Sequence, residues 1–112
     1  GFALECPEIY EDLKLSEIAV YNNSLIDAVY CDASDEVGMH IRKAEGSDDI
    51  SGDYSTWEKE TKIQAAGKTV TLKGDEGLYR LLIWTENGYS YAVSLAQGIT
   101  PDEAAAIAEG VH

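Results

Sequence analysis

Short apolar segments recur along this chain about every ten residues, and turn-forming residues separate them. This spacing is typical of an antiparallel sheet. Predicted strands occupy residues 17–21, 25–31, 37–43, 57–64, 68–73 and 78–85, and a last strand begins at Tyr89. Residues 1–14 are mixed in character and predict an irregular start. The pattern therefore indicates about six to seven strands.

Two of these segments also predict how the strands are placed. Residues 37–43 alternate between apolar and polar side chains, so one face is expected in the core and the other, with His40, in water. Residues 78–85 are apolar on both faces and predict a central strand. Asn87-Gly88 predicts a two-residue hairpin turn, because both positions need a positive φ.

The apolar period changes at Thr100, where a helix is predicted to begin. Thr100 is a capping residue, Pro101 suits the first turn, and Glu103 completes a capping box. Apolar residues follow at helical spacing in one stripe: Ala104, Ile107, Ala108 and Val111. The predicted fold is α+β, an antiparallel β-sheet meander with a C-terminal helix packed on one face, in a single domain of residues 1–112.

Acidic residues outnumber basic residues by 21 to 8, which gives the 112-residue chain a formal net charge of −13. Such a surface repels nucleic-acid phosphates and anionic lipid headgroups. No apolar run approaches the roughly 20 residues of a membrane-spanning helix. We therefore predict no nucleic-acid partner, no membrane insertion by this segment, and a monomer that binds a basic or neutral protein or a small ligand.

The two cysteines, Cys6 and Cys31, leave two interpretations open. Their spacing matches no zinc or redox motif, so either one disulfide joins them or both are buried free thiols. The chain begins at Gly1-Phe2 without an initiator methionine, as expected of a processed or trimmed N-terminus. Neither the cysteines nor the N-terminus identifies the cellular compartment of the protein.

Four sets of short motifs cover most of the chain from Leu25 onward. They are Ile26–Tyr30 before a short acidic turn; Ile41–Ala44 leading into Asp49–Tyr54; Leu72–Gly74 with Trp84–Thr85 and Gly88–Tyr91; and Gly98–Thr100. In order and spacing they resemble the bacterial domain of unknown function 4367. This resemblance implies an extracytoplasmic domain of secreted proteins, lipoproteins or membrane-anchored regulators of the anti-sigma type, with no enzymatic activity and no known ligand.

Candidate catalytic groups are few. His40 is a general-base candidate with Cys31 as its nucleophile, but no orienting motif accompanies the pair. The family that the chain resembles usually has a basic side chain at the position of His40, and His112 is the terminal residue. We therefore expect a solvated strand histidine, no catalytic residue, no cofactor and no enzyme.

The polar loop of residues 45–55 suggests calcium, because hard cations take carboxylate oxygens. Its weak candidates are Asp48, Asp49 and Asp53, whose spacing does not match the helix-loop-helix calcium motif. The alternative is that aspartates in this loop stabilise turns by accepting from backbone amides. We predict no metal site here.

Aromatic residues form a third candidate, with seven tyrosines and two tryptophans. Trp57, Trp84, Tyr89 and Tyr91 either form a binding surface for a peptide, glycan or partner domain, or pack cross-strand in the core.

Together these features predict a non-enzymatic extracytoplasmic binding or sensory module, part of a secreted, lipoprotein or membrane-anchored bacterial protein. We expect it to bind through the sheet face that the helix does not cover. The alternative is a small secreted enzyme, or a calcium-binding protein that uses the loop of residues 45–55.

Overall fold

The structure is a computed structural model that describes residues 4–21, 24–46, 59–65, 67–75 and 78–111. In this part of the chain eight strands form one antiparallel sheet, followed by one short helix. The strands are β1 (Ile9–Tyr10), β2 (Leu13–Tyr21), β3 (Leu25–Cys31), β4 (Val37–Glu45), β5 (Lys59–Ala65), β6 (Lys68–Asp75), β7 (Leu78–Glu86) and β8 (Tyr89–Ile99), and the helix is α1 (Pro101–Glu109). The predicted antiparallel sheet with a C-terminal helix is confirmed.

The strand order departs from a single meander. It runs β1-β2-β3-β4-β8-β7-β6-β5, so two four-stranded meanders lie side by side. They are joined by β4 and β8, which place Met39 opposite Leu95 and Glu45 opposite Tyr89. β8 is buried on both faces over Ser90–Val93, which suits a strand in the middle of the sheet. β7 lies inside the sheet as predicted, with β8 and β6 as its neighbours.

The predicted count of six to seven strands is wrong because β1 lies in the segment expected to be irregular. Ile9 pairs with Lys14 and Tyr10 with Leu13 in a tight hairpin. The chain turns at Glu11, whose φ is +54°. Glutamate seldom adopts this left-handed conformation, so the residues at the turn give no turn signal.

One face of the sheet, here called the inner face, carries the core. α1 packs against β5, β6 and β7 and buries Ala104, Ile107 and Ala108. Val111, the last residue of the predicted apolar stripe, follows the end of α1 and is also buried. The N-terminal segment also packs on this face, where the Tyr30 hydroxyl donates to the Pro7 carbonyl oxygen. The opposite, outer face carries Asp27 and Arg42 on β3 and β4, and Ala92 and Leu81 on β8 and β7.

Both local turn and cap predictions are confirmed. Asn87 and Gly88 have φ values of +54° and +84°, and Glu86 pairs with Tyr89 across the turn. At the start of α1, Thr100 Oγ1 accepts from the Glu103 amide at 3.3 Å, and Glu103 Oε1 accepts from the Thr100 amide at 3.0 Å. These motifs depend on adjacent residues, which is why sequence alone locates them.

Candidate functional site

A charged cluster occupies the outer face where β3 and β4 pair. Asp27 is 4% exposed, and its Oδ1 lies 3.0 Å from His40 Nδ1. Arg42 Nε donates to Asp27 Oδ2 at 3.3 Å. Strand alternation puts all three side chains on one face, and the register sets Asp27 directly opposite Arg42. We call these three residues the Asp27 cluster.

The Asp27 cluster neutralises a carboxylate that would otherwise be buried alone. An unpaired buried charge is strongly unfavourable, whereas two basic neighbours with hydrogen bonds compensate it. The side chains of His40 and Arg42 are 33% and 26% exposed, so they span from the carboxylate to solvent. The sequence correctly placed His40 on the face away from the core. It missed Asp27, whose signal is a single charged residue inside an otherwise apolar strand.

The proposed pairing of His40 with Cys31 has no support in the geometry. Cys31 lies opposite Lys14 on β2 and opposite Val37 on β4, next to a cavity at the margin of the sheet. Among the described residues no hydrogen bond joins His40 to Cys31, nor to Ser94, which faces His40 across β8. Within the described ranges, the Asp27 cluster is therefore a group of charged side chains without a hydrogen-bonded serine, threonine or cysteine.

The aromatic candidates lie mainly in the core. Trp84 and Tyr91 are 2% and 3% exposed and stack with ring centroids 5.1 Å apart and planes 6° apart. Lys43 Nζ lies 4.5 Å from the ring centroid of Tyr89, and Lys68 Nζ lies 4.8 Å from that of Trp84. These contacts are favourable because a cation is attracted to an aromatic face. Trp84 and Tyr91 are therefore buried in the cross-strand packing that was the alternative to an open binding surface.

The polar side chains around the stacked Trp84 and Tyr91 rings interact with other parts of the domain. Lys68 Nζ donates to Glu86 Oε1 at 3.2 Å and to the Val111 carbonyl oxygen at 3.4 Å, which joins β6 to β7 and to the segment after the helix. Burial raises the pKa of Tyr91, and the nearby Glu86 carboxylate raises it further. Among the residues that the structure describes, none accepts a hydrogen bond from the buried Trp84 Nε1–H. The whole arrangement stabilises one end of the sheet.

Several sequence candidates lie outside the described residues, namely Trp57, Asp48, Asp49, Asp53 and His112. In the ranges that are described, no group of three or more histidine, cysteine, aspartate or glutamate side chains is placed to hold a metal ion. Cys6 and Cys31 are half-buried free thiols. The structure therefore has free thiols at both positions and no disulfide between Cys6 and Cys31.

Apolar surface is concentrated at one margin of the sheet. Among the described residues the exposed large apolar side chains are Ile9, Ile18, Val20, Tyr21, Val37 and Leu78, and the first four belong to β1 and β2. The outer face was expected to present such a surface, but its Leu81 and Ala92 are each 1% exposed. Among the described residues, exposed large apolar side chains are therefore most concentrated on β1 and β2.

The backbone at this margin is open as well. β1 pairs with β2 at Leu13 and Lys14, and the Leu15 amide donates to the Glu8 carbonyl oxygen at 2.8 Å. Beyond Leu15, β2 has β3 as its one partner strand within the described ranges. We call Ser16–Tyr21 the open edge.

A cavity of about 340 Å³ lies at the start of the open edge. Its lining includes three carboxylates, Asp12, Asp32 and Asp35, together with Lys14 and Ser16. Asp32 Oδ1 accepts from two backbone amides of the following turn, so that side chain is already engaged. We call this feature the acidic cavity.

Within the described ranges, no helix is both long and apolar enough to cross a membrane. Comparisons of the chain with protein-family models, with curated proteins and with solved structures found no match. The resemblance to the domain of unknown function 4367 therefore stays a prediction.

Proposed function

We propose that this domain is a non-enzymatic binding or sensory module that works outside the cytoplasm, as part of a secreted, lipoprotein or membrane-anchored bacterial protein. The observation that carries the binding part is the open edge. The extracytoplasmic location rests on the motifs that resemble the domain of unknown function 4367. Protease treatment of intact cells that produce the natural full-length protein tests the location, and protection of the domain in intact cells would contradict it.

The open edge supports binding because it combines two kinds of unsatisfied surface. An edge strand presents unpaired backbone amide and carbonyl groups, which can accept another strand. Its apolar side chains are exposed at 50% for Ile18, 57% for Val20 and 52% for Tyr21. Proteins usually protect such an edge with a charged residue, a bulge or a covering segment. Here the margin keeps three neighbouring apolar side chains in solvent.

Selection of a random linear peptide library displayed on phage tests this proposal. We expect selected peptides to bind the parent domain and to lose about tenfold in affinity when Ile18→Gln and Val20→Gln are combined, because apolar cross-strand contacts are lost. The matched control combines Val37→Gln with Leu78→Gln, which are 48% and 46% exposed in the parent. A selection without enriched peptides, or equal losses in both double variants, would overturn the proposal.

The enzyme alternative has one supporting observation, the hydrogen bond between His40 Nδ1 and Asp27 Oδ1 at 3.0 Å. A carboxylate that orients a histidine is part of many hydrolytic sites. Here Arg42 binds the same carboxylate, and no nucleophile within the described residues donates to the ring. We expect the parent domain and the His40→Ala variant to hydrolyse an activated aryl ester at the same background rate. A rate that falls with His40→Ala would favour the enzyme.

A further inference from the structure

We infer that the partner of this domain supplies an extended segment that adds to β2 as a new antiparallel strand, with apolar side chains at alternate positions and lysine or arginine towards its C-terminal end. This inference rests on the proposed function and names the chemistry of the partner. Three features of the β2 margin lead to it: the bulge, the uncovered apolar residues and the acidic cavity.

The bulge defines how much of β2 is available. Leu15 pairs with Tyr30 and Glu17 pairs with Val29, so Ser16 is the additional residue in β2. A bulge interrupts the ladder and increases the local twist, and pairing with β1 ends at this point. The segment beyond it, from Glu17 to Tyr21, follows β3 in unbroken register. A partner strand of about five residues fits this segment.

The described part of the chain leaves the inner face uncovered at β2, and this indicates that the partner carries apolar residues. Ile18 pairs with the buried Ala28, and Val20 pairs with the buried Ile26, so Ile18 and Val20 extend the inner face outwards. α1 covers the far side of the sheet, on β5 to β7. Alternate apolar side chains of an added strand would pack against Ile18 and Val20 as cross-strand neighbours.

Basic residues on the partner are indicated by the charge around the bulge. The side chains of Asp12 and Asp35 are exposed and line the acidic cavity, and Glu17 is exposed beside it. An antiparallel partner runs from Tyr21 towards Ser16, so its C-terminal end points to the end of β2 at which these carboxylates lie. Opposite charges on neighbouring strands attract, and like charges repel.

The same charges disfavour a second copy of the chain at neutral pH. Two copies joined at the open edge would each bring a formal charge of −13 and an acidic cavity to the interface. Repulsion of this kind opposes close approach of like-charged proteins. A strand of basic and apolar residues gains the same backbone pairing and avoids this repulsion.

Synthetic labelled peptides test the inference by fluorescence anisotropy. The first alternates valine and threonine and ends in two lysines, the second ends in two glutamates, and the third repeats the lysine peptide with alternate backbone amides methylated. We expect the lysine peptide to bind about tenfold more tightly than the glutamate peptide, since complementary charge aids association. The methylated peptide should not bind, because the methylated amides are those on the edge that would face β2 and can no longer donate to it.

Protein variants locate the contact. Asp12→Asn combined with Asp35→Asn should lower the affinity for the lysine peptide several-fold and make that affinity less dependent on salt. The matched control, Asp102→Asn with Glu109→Gln on α1, should not change its affinity. Binding of the lysine peptide should also slow hydrogen exchange of the amides in the open edge. Circular dichroism of every variant establishes that it is folded.

The failures are distinguishable. Equal affinity for the lysine and glutamate peptides would overturn the inference that the partner is basic. The proposed function would still stand if the combined Ile18→Gln and Val20→Gln variant binds the phage-selected peptides more weakly than the parent does. Full affinity of the methylated peptide, or no slowing of exchange in the open edge, would overturn strand addition. A stable dimer of the domain at neutral pH that displaces the peptides would identify a second copy as the occupant. If neither these synthetic peptides nor any phage-selected peptide binds the domain, the proposed function itself is overturned.

Discussion

Gly88 shows how one residue can limit the stability of a hairpin. Its φ of +84° is a conformation that β-branched residues avoid, and no atom outside the turn lies within 4 Å of where a Cβ would stand. We expect Gly88→Val to lower the free energy of unfolding by about 1–3 kcal/mol through backbone strain alone. Urea denaturation measures this loss. Gly88→Asn is the control and should cost less, because asparagine tolerates a positive φ. Equal stability of the valine variant and the parent would contradict the turn assignment.

The Asp27 cluster gives a second prediction for single residues. Arg42→Met removes a donor from a buried carboxylate, so we expect a loss of about 1–3 kcal/mol in the free energy of unfolding. The control is Lys73→Met, whose partner Glu60 lies 3.7 Å away and is 57% exposed. An exposed pair of this kind contributes about 0–1 kcal/mol. Similar losses in both variants, measured by urea denaturation, would show that burial of Asp27 has no energetic consequence.

Sequence alone predicts the faces of these residues better than their contacts. Alternation places His40 on the wet face and puts Tyr89 and Tyr91 on one common face, and the structure agrees with both. Alternation does not give the register, and the register is what sets Asp27 opposite Arg42. The charged cluster therefore depends on a pairing that only the folded sheet specifies.

At the level of elements, the cap of α1 is the most direct test. Thr100→Ala removes the hydroxyl oxygen that accepts from the Glu103 amide, and we expect it to lower the free energy of unfolding by about 1 kcal/mol. Thr100→Ser keeps an acceptor at the same place and should stay close to the parent. Thermal and urea denaturation measure both variants. No loss in the alanine variant would mean that the capping box does not stabilise the helix.

Elements with local signals are the ones that the sequence predicts. The β7–β8 hairpin and α1 each depend on a few adjacent residues, and both are confirmed. β1 lacks such a signal because its turn contains Glu11 at positive φ. The pairing of β4 with β8 joins residues about fifty positions apart, and no local pattern encodes it. Non-local pairing is also what makes β2 a margin of the sheet.

For the whole molecule, buried tyrosines predict a loss of stability in alkali. Burial raises the pKa of Tyr30 above its ordinary value of 10.0, and the neighbouring Cys6 raises it further. Burial also raises the pKa of Tyr91. A raised pKa in the folded state means that the folded protein holds its proton longer than the unfolded chain. The resulting stability is complete below the unfolded pKa and is lost as the pH rises through the folded pKa.

We therefore expect the melting temperature to fall as the pH rises from about 9 to about 11, and to fall less steeply in Tyr30→Phe. The phenylalanine variant loses the hydrogen bond to Pro7 and starts from a lower melting temperature, so the slope is the informative quantity. Tyr21→Phe, at an exposed position, is the control. Equal slopes in the parent and Tyr30→Phe would show that another group governs the alkaline transition.

Net charge and the open edge together predict how the domain associates. At neutral pH the formal charge of −13 keeps copies apart, so we expect a monomer by sedimentation velocity. Near the sequence pI of about 4.2 this repulsion disappears, while the unpaired backbone and the exposed Val20 remain. The domain should then self-associate. Val20→Lys should reduce this association, because lysine on an edge strand opposes pairing, whereas Val37→Lys adds the same charge elsewhere and should not. Equal association of both variants near the pI would mean that loss of net charge alone drives it and that the open edge has no part in it.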